Sequence, residues 1–128
     1  MSVFTEAERA YLRDEHLLAR LATVGPDGTP HVMPIGMYRL DADADVIDTT
    51  GHQLTTTKKW RDVLRNGRAA VVVDDVRPPF RPRGIEIRGR AEAIDEPEPV
   101  IRIHPERIVA WGLDDTGTMR NARDVQSH

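Results

Sequence analysis

Apolar residues along this chain recur mostly at every second position between turn residues, and in two places at every third or fourth, so strands dominate the expected structure. Thr5-Glu6-Ala7-Glu8 has the form of a capping box, and Ala7, Ala10, Tyr11 and Asp14 follow along one face, which predicts a short amphipathic helix. Leu17 to Val24 is apolar except for Arg20 and Thr23. Gly25-Pro26-Asp27-Gly28 then supplies turn chemistry and Pro30 to Leu40 resumes an extended pattern, predicting a hairpin. Pro34 cannot donate to a ladder, which puts the second strand at an edge or bulged beside Gly36. Val46 to Thr50 reads as a short strand ending at Gly51. From Thr55 the spacing turns helical, with Trp60, Val63 and Leu64 at i, i+3 and i+4 forming its apolar set and Asn66-Gly67 as the stop.

Ala69 to Val73 is an unbroken apolar run, expected for a strand covered on both faces and closed by Asp74-Asp75. After the connection Arg77-Pro78-Pro79-Phe80-Arg81-Pro82-Arg83, Ile85, Ile87, Gly89, Ala91 and Ala93 alternate with Glu86, Arg88, Arg90 and Glu92, the clearest strand in the chain. Val100 to His104 and Arg107 to Trp111 make a last strand, or a pair, around Pro105. The sum is a mainly β fold of about six strands and two short helices, with residues 1–113 as a single domain. Residues 114–128 form a polar tail expected to be loose.

Leu, Ile, Val and Phe together make 30 of 128 residues, above the level of about 20% below which chains stay disordered, so a small core is expected. No apolar run nears the ~18 residues that span a bilayer, and the first residues lack the basic start and apolar stretch of a signal peptide. A soluble cytoplasmic protein with no membrane partner is therefore expected. With no Cys, disulfides and thiol nucleophiles are excluded, and redox chemistry would have to come from a bound cofactor. Ten basic residues between Lys58 and Arg90 stand against four acidic ones, giving that stretch +6 and leaving −9 elsewhere in a chain of net charge −3. The acidic remainder and the few aromatics argue against a nucleic-acid track and favour a small polyanion.

Lys58 and Lys59, the only lysines, fall in the first turn of the second predicted helix, where a cation opposes the helix dipole. A bound anion would reverse that sign, since threonine hydroxyls, free N–H groups, two ammoniums and Arg61 together suit a phosphate. The same residues also suit a solvated basic helix start. The five histidines lack metal-ligand spacing, and the only serines are Ser2 and Ser127, so neither a metal site nor a serine hydrolase is expected. Asp74-Asp75 reads as a pair of ion partners, with an acid/base pair as the alternative, and Tyr38 and Trp111 as core or interface aromatics, with the lining of a ring-binding cleft as the alternative. No catalytic side chain is assigned.

Five segments in order carry a resemblance: Arg20 to Val32 with its Gly25-Pro26-Asp27-Gly28 turn, Lys58-Lys59-Trp60-Arg61-Asp62-Val63, Val72 to Val76, Arg81 to Glu92, and Ile101 to Ile108. Together they resemble the deazaflavin (coenzyme F420)-dependent class of the pyridoxamine phosphate oxidase-like split β-barrels, over roughly residues 5 to 113. The resemblance implies a six-stranded antiparallel split β-barrel of Greek-key type, homodimeric, with a flavin-like cofactor in a groove at the subunit interface. It places the cofactor phosphate on Lys58 and Lys59 with Arg61 near, and the ring along Met33-Pro34-Ile35-Gly36 and Thr49-Thr50-Gly51. Arg77, Arg81 and Arg83, in the basic turn, would accommodate the coenzyme's oligoglutamate tail. The implied activity is hydride transfer from the reduced deazaflavin to an unsaturated organic acceptor. FMN in the same groove, or a carrier of the coenzyme without turnover, is the alternative.

Overall fold

A computed structural model describes residues 2–15, 17–113 and 120–126. The capping box forms as expected: Thr5 Oγ1 accepts from the Glu8 amide at 3.1 Å and the Glu8 carboxylate accepts from the Thr5 amide at 2.9 Å, starting α1 (Glu6–Asp14). The hairpin follows as β1 (Ala19–Val24) and β2 (Pro30–Ile35), after which Gly36 ends pairing and β3 (Met37–Asp41) begins. β4 (Val46–Thr50) leads through a 3-10 turn at Leu54–Thr56 into α2 (Lys58–Asn66). α2 ends where Gly67 takes the left-handed conformation at φ 72°, which suits a residue without a Cβ.

β5 (Arg68–Arg77), β6 (Arg81–Ile94) and β7 (Val100–Trp111) complete the main sheet, and β8 (Asn121–Asp124) pairs with β7. All pairings are antiparallel, in the order β2-β1-β5-β6-β7-β4-β3. β2 and β3 are separated by one residue in the chain yet lie at opposite ends of that order, so the sheet must curl round until its two edges meet at Gly36. That is a split β-barrel. Its interior is filled by Leu21, Val71, Val73, Ile85, Ile87, Ile101, Ile103 and Ile108, each at most 2% exposed.

Three expectations are corrected, and for the last strand one of the two alternatives is found. There are eight strands rather than six, because Gly36 divides the run from Pro30 to Asp41 and the tail adds β8. The Asp74-Asp75 pair does not close β5, which continues to Arg77 with alternating rather than two-sided burial. β7 is one strand through Pro105: the missing N–H is absorbed by a register shift at Arg88/Gly89 opposite, where any Cβ on Gly89 would collide with the His104 carbonyl oxygen. Leu64 is 65% exposed, and the buried side of α2 is instead Trp60, Val63 and Asp62.

The tail is held where it is described. Arg123 on β8 donates to both Glu8 carboxylate oxygens, at 2.6 and 2.9 Å, and to the Val3 carbonyl at 2.7 Å. Glu8 is 1% exposed, so the first helix and the last strand share one buried ion pair. Beside it Tyr11 donates to Asp75 at 2.8 Å and lies under the Arg83 guanidinium, 4.9 Å from the ring centroid. Burial, and then the Asp75 carboxylate, push the Tyr11 hydroxyl well above its ordinary pKa.

Candidate functional site

The start of α2 faces β1 and β2 across a groove of about 420 Å³, within the usual range for small-molecule sites. Leu21 and Thr23 from β1, His31, Val32 and Met33 from β2, and Thr57, Lys58 and Lys59 from the helix start line it. Thr57 is there because it caps the helix: its Oγ1 accepts from the Trp60 amide at 3.2 Å and donates to the Leu54 carbonyl at 2.7 Å. Two lysines in the first helical turn then project beside an apolar wall. Val32 and Met33 are 62% and 58% exposed, so the wall stands open in the single protomer.

At one end the turn, the strand and the helix converge. A Cβ built on Gly25 would lie 2.9 Å from His31 Nε2 and 3.5 Å from Lys58 Nζ, so the absence of a side chain there lets imidazole and ammonium approach. Lys58 Nζ also donates to Asp62 Oδ1 at 3.2 Å, one helical turn on. Asp62 takes two further bonds, from Thr23 Oγ1 at 2.9 Å and Arg65 Nη1 at 3.4 Å. Burial pushes the Asp62 carboxyl up, but those three donors outweigh it and hold it below the ordinary carboxylate value. Lys59 has no ion-pair partner among the described residues, and Arg61 donates only to the Thr56 carbonyl, at 3.1 Å. This end of the groove therefore carries uncompensated positive charge.

Of the residues singled out from sequence, the groove brings together Met33, Lys58 and Lys59. Pro34 is exposed on β2 and Ile35 is in the core at 4% exposure. Gly36 lines a separate cleft of about 480 Å³ between α1 and β3, with Leu12, Leu17, Met37 and Tyr38. Thr49 is buried and donates to the Ile101 carbonyl at 3.1 Å, while Thr50 pairs with Met37 just before Gly51. Arg81 is exposed with no ion-pair partner among the described residues. Arg83 is committed elsewhere, by a two-pronged bond to Asp75 at 2.8 and 3.1 Å and an ion pair with Glu15 at 3.2 Å. The Asp75 bond, followed by the opposing effect of burial, leaves the Arg83 pKa raised. Leu21, Thr23, His31, Val32 and Thr57 were not singled out. Alternation on β1 would have found Leu21 and Thr23, which share a face, but nothing local says that this face meets α2.

A family model described as pyridoxamine 5'-phosphate oxidase matches residues 4–126. The chain belongs to the pyridoxamine 5'-phosphate oxidase family. Within it, the chain is similar to the 5a,11a-dehydrotetracycline/5a,11a-dehydrooxytetracycline reductase of Streptomyces rimosus, with 41% identity over 134 residues covering 95% of this chain and 93% of that protein. Among solved structures it is similar to an F420 reductase, at 25% identity and a TM-score of 0.58, over 77% of this chain and 94% of that one. A conserved hypothetical protein of Mycobacterium tuberculosis shares the fold at 22% identity and a TM-score of 0.69, over 92% and 91% of the two chains. The family match extends through β8, so the paired tail lies inside the region that the family model covers. The family and the reductase relative support an oxidoreductase of the flavin or deazaflavin type.

Proposed function

We propose that this protein is a reductase that uses coenzyme F420, holding the phosphate of the reduced deazaflavin at Lys58 and Lys59 and its ring toward Val32 and Met33. The observation that carries the reading is one groove with an apolar wall at β2 and excess cationic charge at α2. Those residues suit an amphiphile with a flat ring at one end and a phosphate at the other. When bound, the coenzyme supplies the hydride. The chain's own part is to orient it: Lys59 and Lys58 fix the anionic end, and Val32 and Met33 give the ring an apolar wall, which limits its motion and excludes water from one face.

The acceptor is an unsaturated organic molecule, and the relative's name points to a polycyclic one with a carbon–carbon double bond. Arg77 and Arg81, exposed at the β5–β6 turn, are left to meet the coenzyme's acidic tail, since Arg83 is occupied. The open Val32 and Met33, with Met37 at 69% exposure, support a homodimer that covers them. The reading also places the protein in the cytoplasm.

The test is a titration of the purified protein with oxidised F420 and with FMN, followed by turnover of a dehydrotetracycline by the reduced form of each. Tighter binding of F420, with turnover only by reduced F420, is expected. Purification as a yellow protein with bound flavin, or turnover by reduced FMN alone, would transfer the reading to FMN. Binding without turnover of any conjugated acceptor would make it a carrier.

A further inference from the structure

The groove reading leaves one feature without a purpose. Asp62 is 0% exposed on the core-facing side of α2, between Trp60 and Val63, while an apolar neighbour, Leu64, is turned out to solvent. Burying a carboxylate there is expensive unless it is paired, and an apolar residue would pack the same site more cheaply. Its partners come from both sides of the groove: Thr23 on β1 and Lys58 and Arg65 on α2. Lys58 is the one that matters to a ligand, because its ammonium stands between Asp62 at 3.2 Å and the groove space beside Gly25 and His31.

We infer that Asp62 is a resident counter-ion that half-neutralises Lys58 and thereby weakens the hold of this end of the groove on any phosphate, so that a bare inorganic anion binds poorly. The inference rests on the groove being the phosphate end of the cofactor site. An ammonium has three donors, and Asp62 occupies one, so Lys58 can still bond an entering phosphate with the others. That phosphate would then lie about 6 Å from the Asp62 carboxylate across a shared ammonium, a separation at which like charges in a partly wet site repel appreciably. A bare phosphate gains nothing to offset this. A ligand that also lays a ring on Val32 and Met33 gains apolar contact that does not depend on Lys58 at all. Lys59, without such a counter-ion, is the stronger anion contact of the two.

The experiment is calorimetric titration with inorganic phosphate, at fixed ionic strength, of wild type, Asp62→Asn, Lys58→Met, the double variant and Thr23→Val. Asn keeps the size and loses the charge: its Oδ1 can still accept from Lys58 and Arg65, and its Nδ2 would donate to the Thr23 hydroxyl, which can turn to accept. D62N is expected to bind phosphate about tenfold more tightly than wild type, and the double variant to show no gain over K58M. T23V, which removes a bond to Asp62 but not its charge, is expected to show no gain. An unchanged or weaker phosphate affinity in D62N, a gain that persists without Lys58, or an equal gain in T23V would each overturn the inference. Should D62N fail to fold by circular dichroism, Asp62→Ser takes its place with the same expectations. Titration of wild type with oxidised F420 is read separately: its failure removes the cofactor reading, while the phosphate comparison still decides the role of Asp62.

Discussion

Replacing the two lysines one at a time separates binding from folding. Lys59→Ala removes a cation with no ion-pair partner among the described residues, at a helix start where a positive charge is unfavourable by a few tenths to about 1 kcal/mol. Its melting temperature should stay level or rise slightly. Its affinity for F420 should fall by about 1.5 to 3 kcal/mol, the worth of one charge-assisted contact, or roughly ten- to 150-fold in Kd. Lys58→Ala differs because Asp62 is fully buried and would keep only Thr23 and Arg65. Lys58 itself is 46% exposed, so solvent screening limits the loss to about 1 kcal/mol, or roughly 3 to 5 °C in Tm for a domain of this size. Its binding defect should be smaller than that of K59A, since Asp62 already shares its ammonium. Fluorescence titration at low and moderate salt gives the affinities, and thermal melts of the apoprotein give the stabilities. A wild-type Kd for K59A at both salts would refute the phosphate assignment, and a K58A protein that melts at or above wild type would show that the Asp62 cluster does not stabilise the helix.

Two further outcomes follow from the ion pairs. Arg123→Ala leaves the buried Glu8 carboxylate with its one capping-box bond, from the Thr5 amide, and should cost about 2 to 4 kcal/mol by urea denaturation, whereas a loss under 0.5 kcal/mol would mean that β8 contributes nothing. Asp75 and Asp62 are both held below the ordinary carboxylate pKa, Asp75 chiefly by Arg83, so the folded state binds fewer protons there than the unfolded chain. Their contribution is full above about pH 5 and is lost as pH falls through the depressed folded values. D75N should therefore be less stable at pH 7 and lose less on acidification to pH 3, and a urea midpoint that drops as steeply as that of wild type would contradict this.

Local chemistry determined much of this protein. The capping box at Thr5 and Glu8, the Gly25 to Gly28 turn, the stop at Gly67 and the alternation from Ile85 to Ala93 all act over a few residues, and each forms as the sequence implies. Lys58 and Lys59 were legible because a like-charged pair in a first helical turn asks for a reason wherever the helix lies. Other features depend on what the curled sheet brings together. Whether the run from Pro30 to Asp41 is one strand or two is decided by the barrel, whose two edges need a break at Gly36 to be joined by continuous chain. Arg123 seemed to sit in a loose tail because its partner, Glu8, is 115 residues away. Arg83 is taken from a ligand by Asp75, which the β5–β6 register sets opposite it, and by Glu15, which reaches it only through packing. The exchange of Leu64 for Asp62 on the buried side of α2 shows the same limit: helical spacing ranks positions by hydrophobicity, but the packing of α2 on β1 buries the carboxylate, where Thr23 from β1 joins Lys58 and Arg65 in holding it.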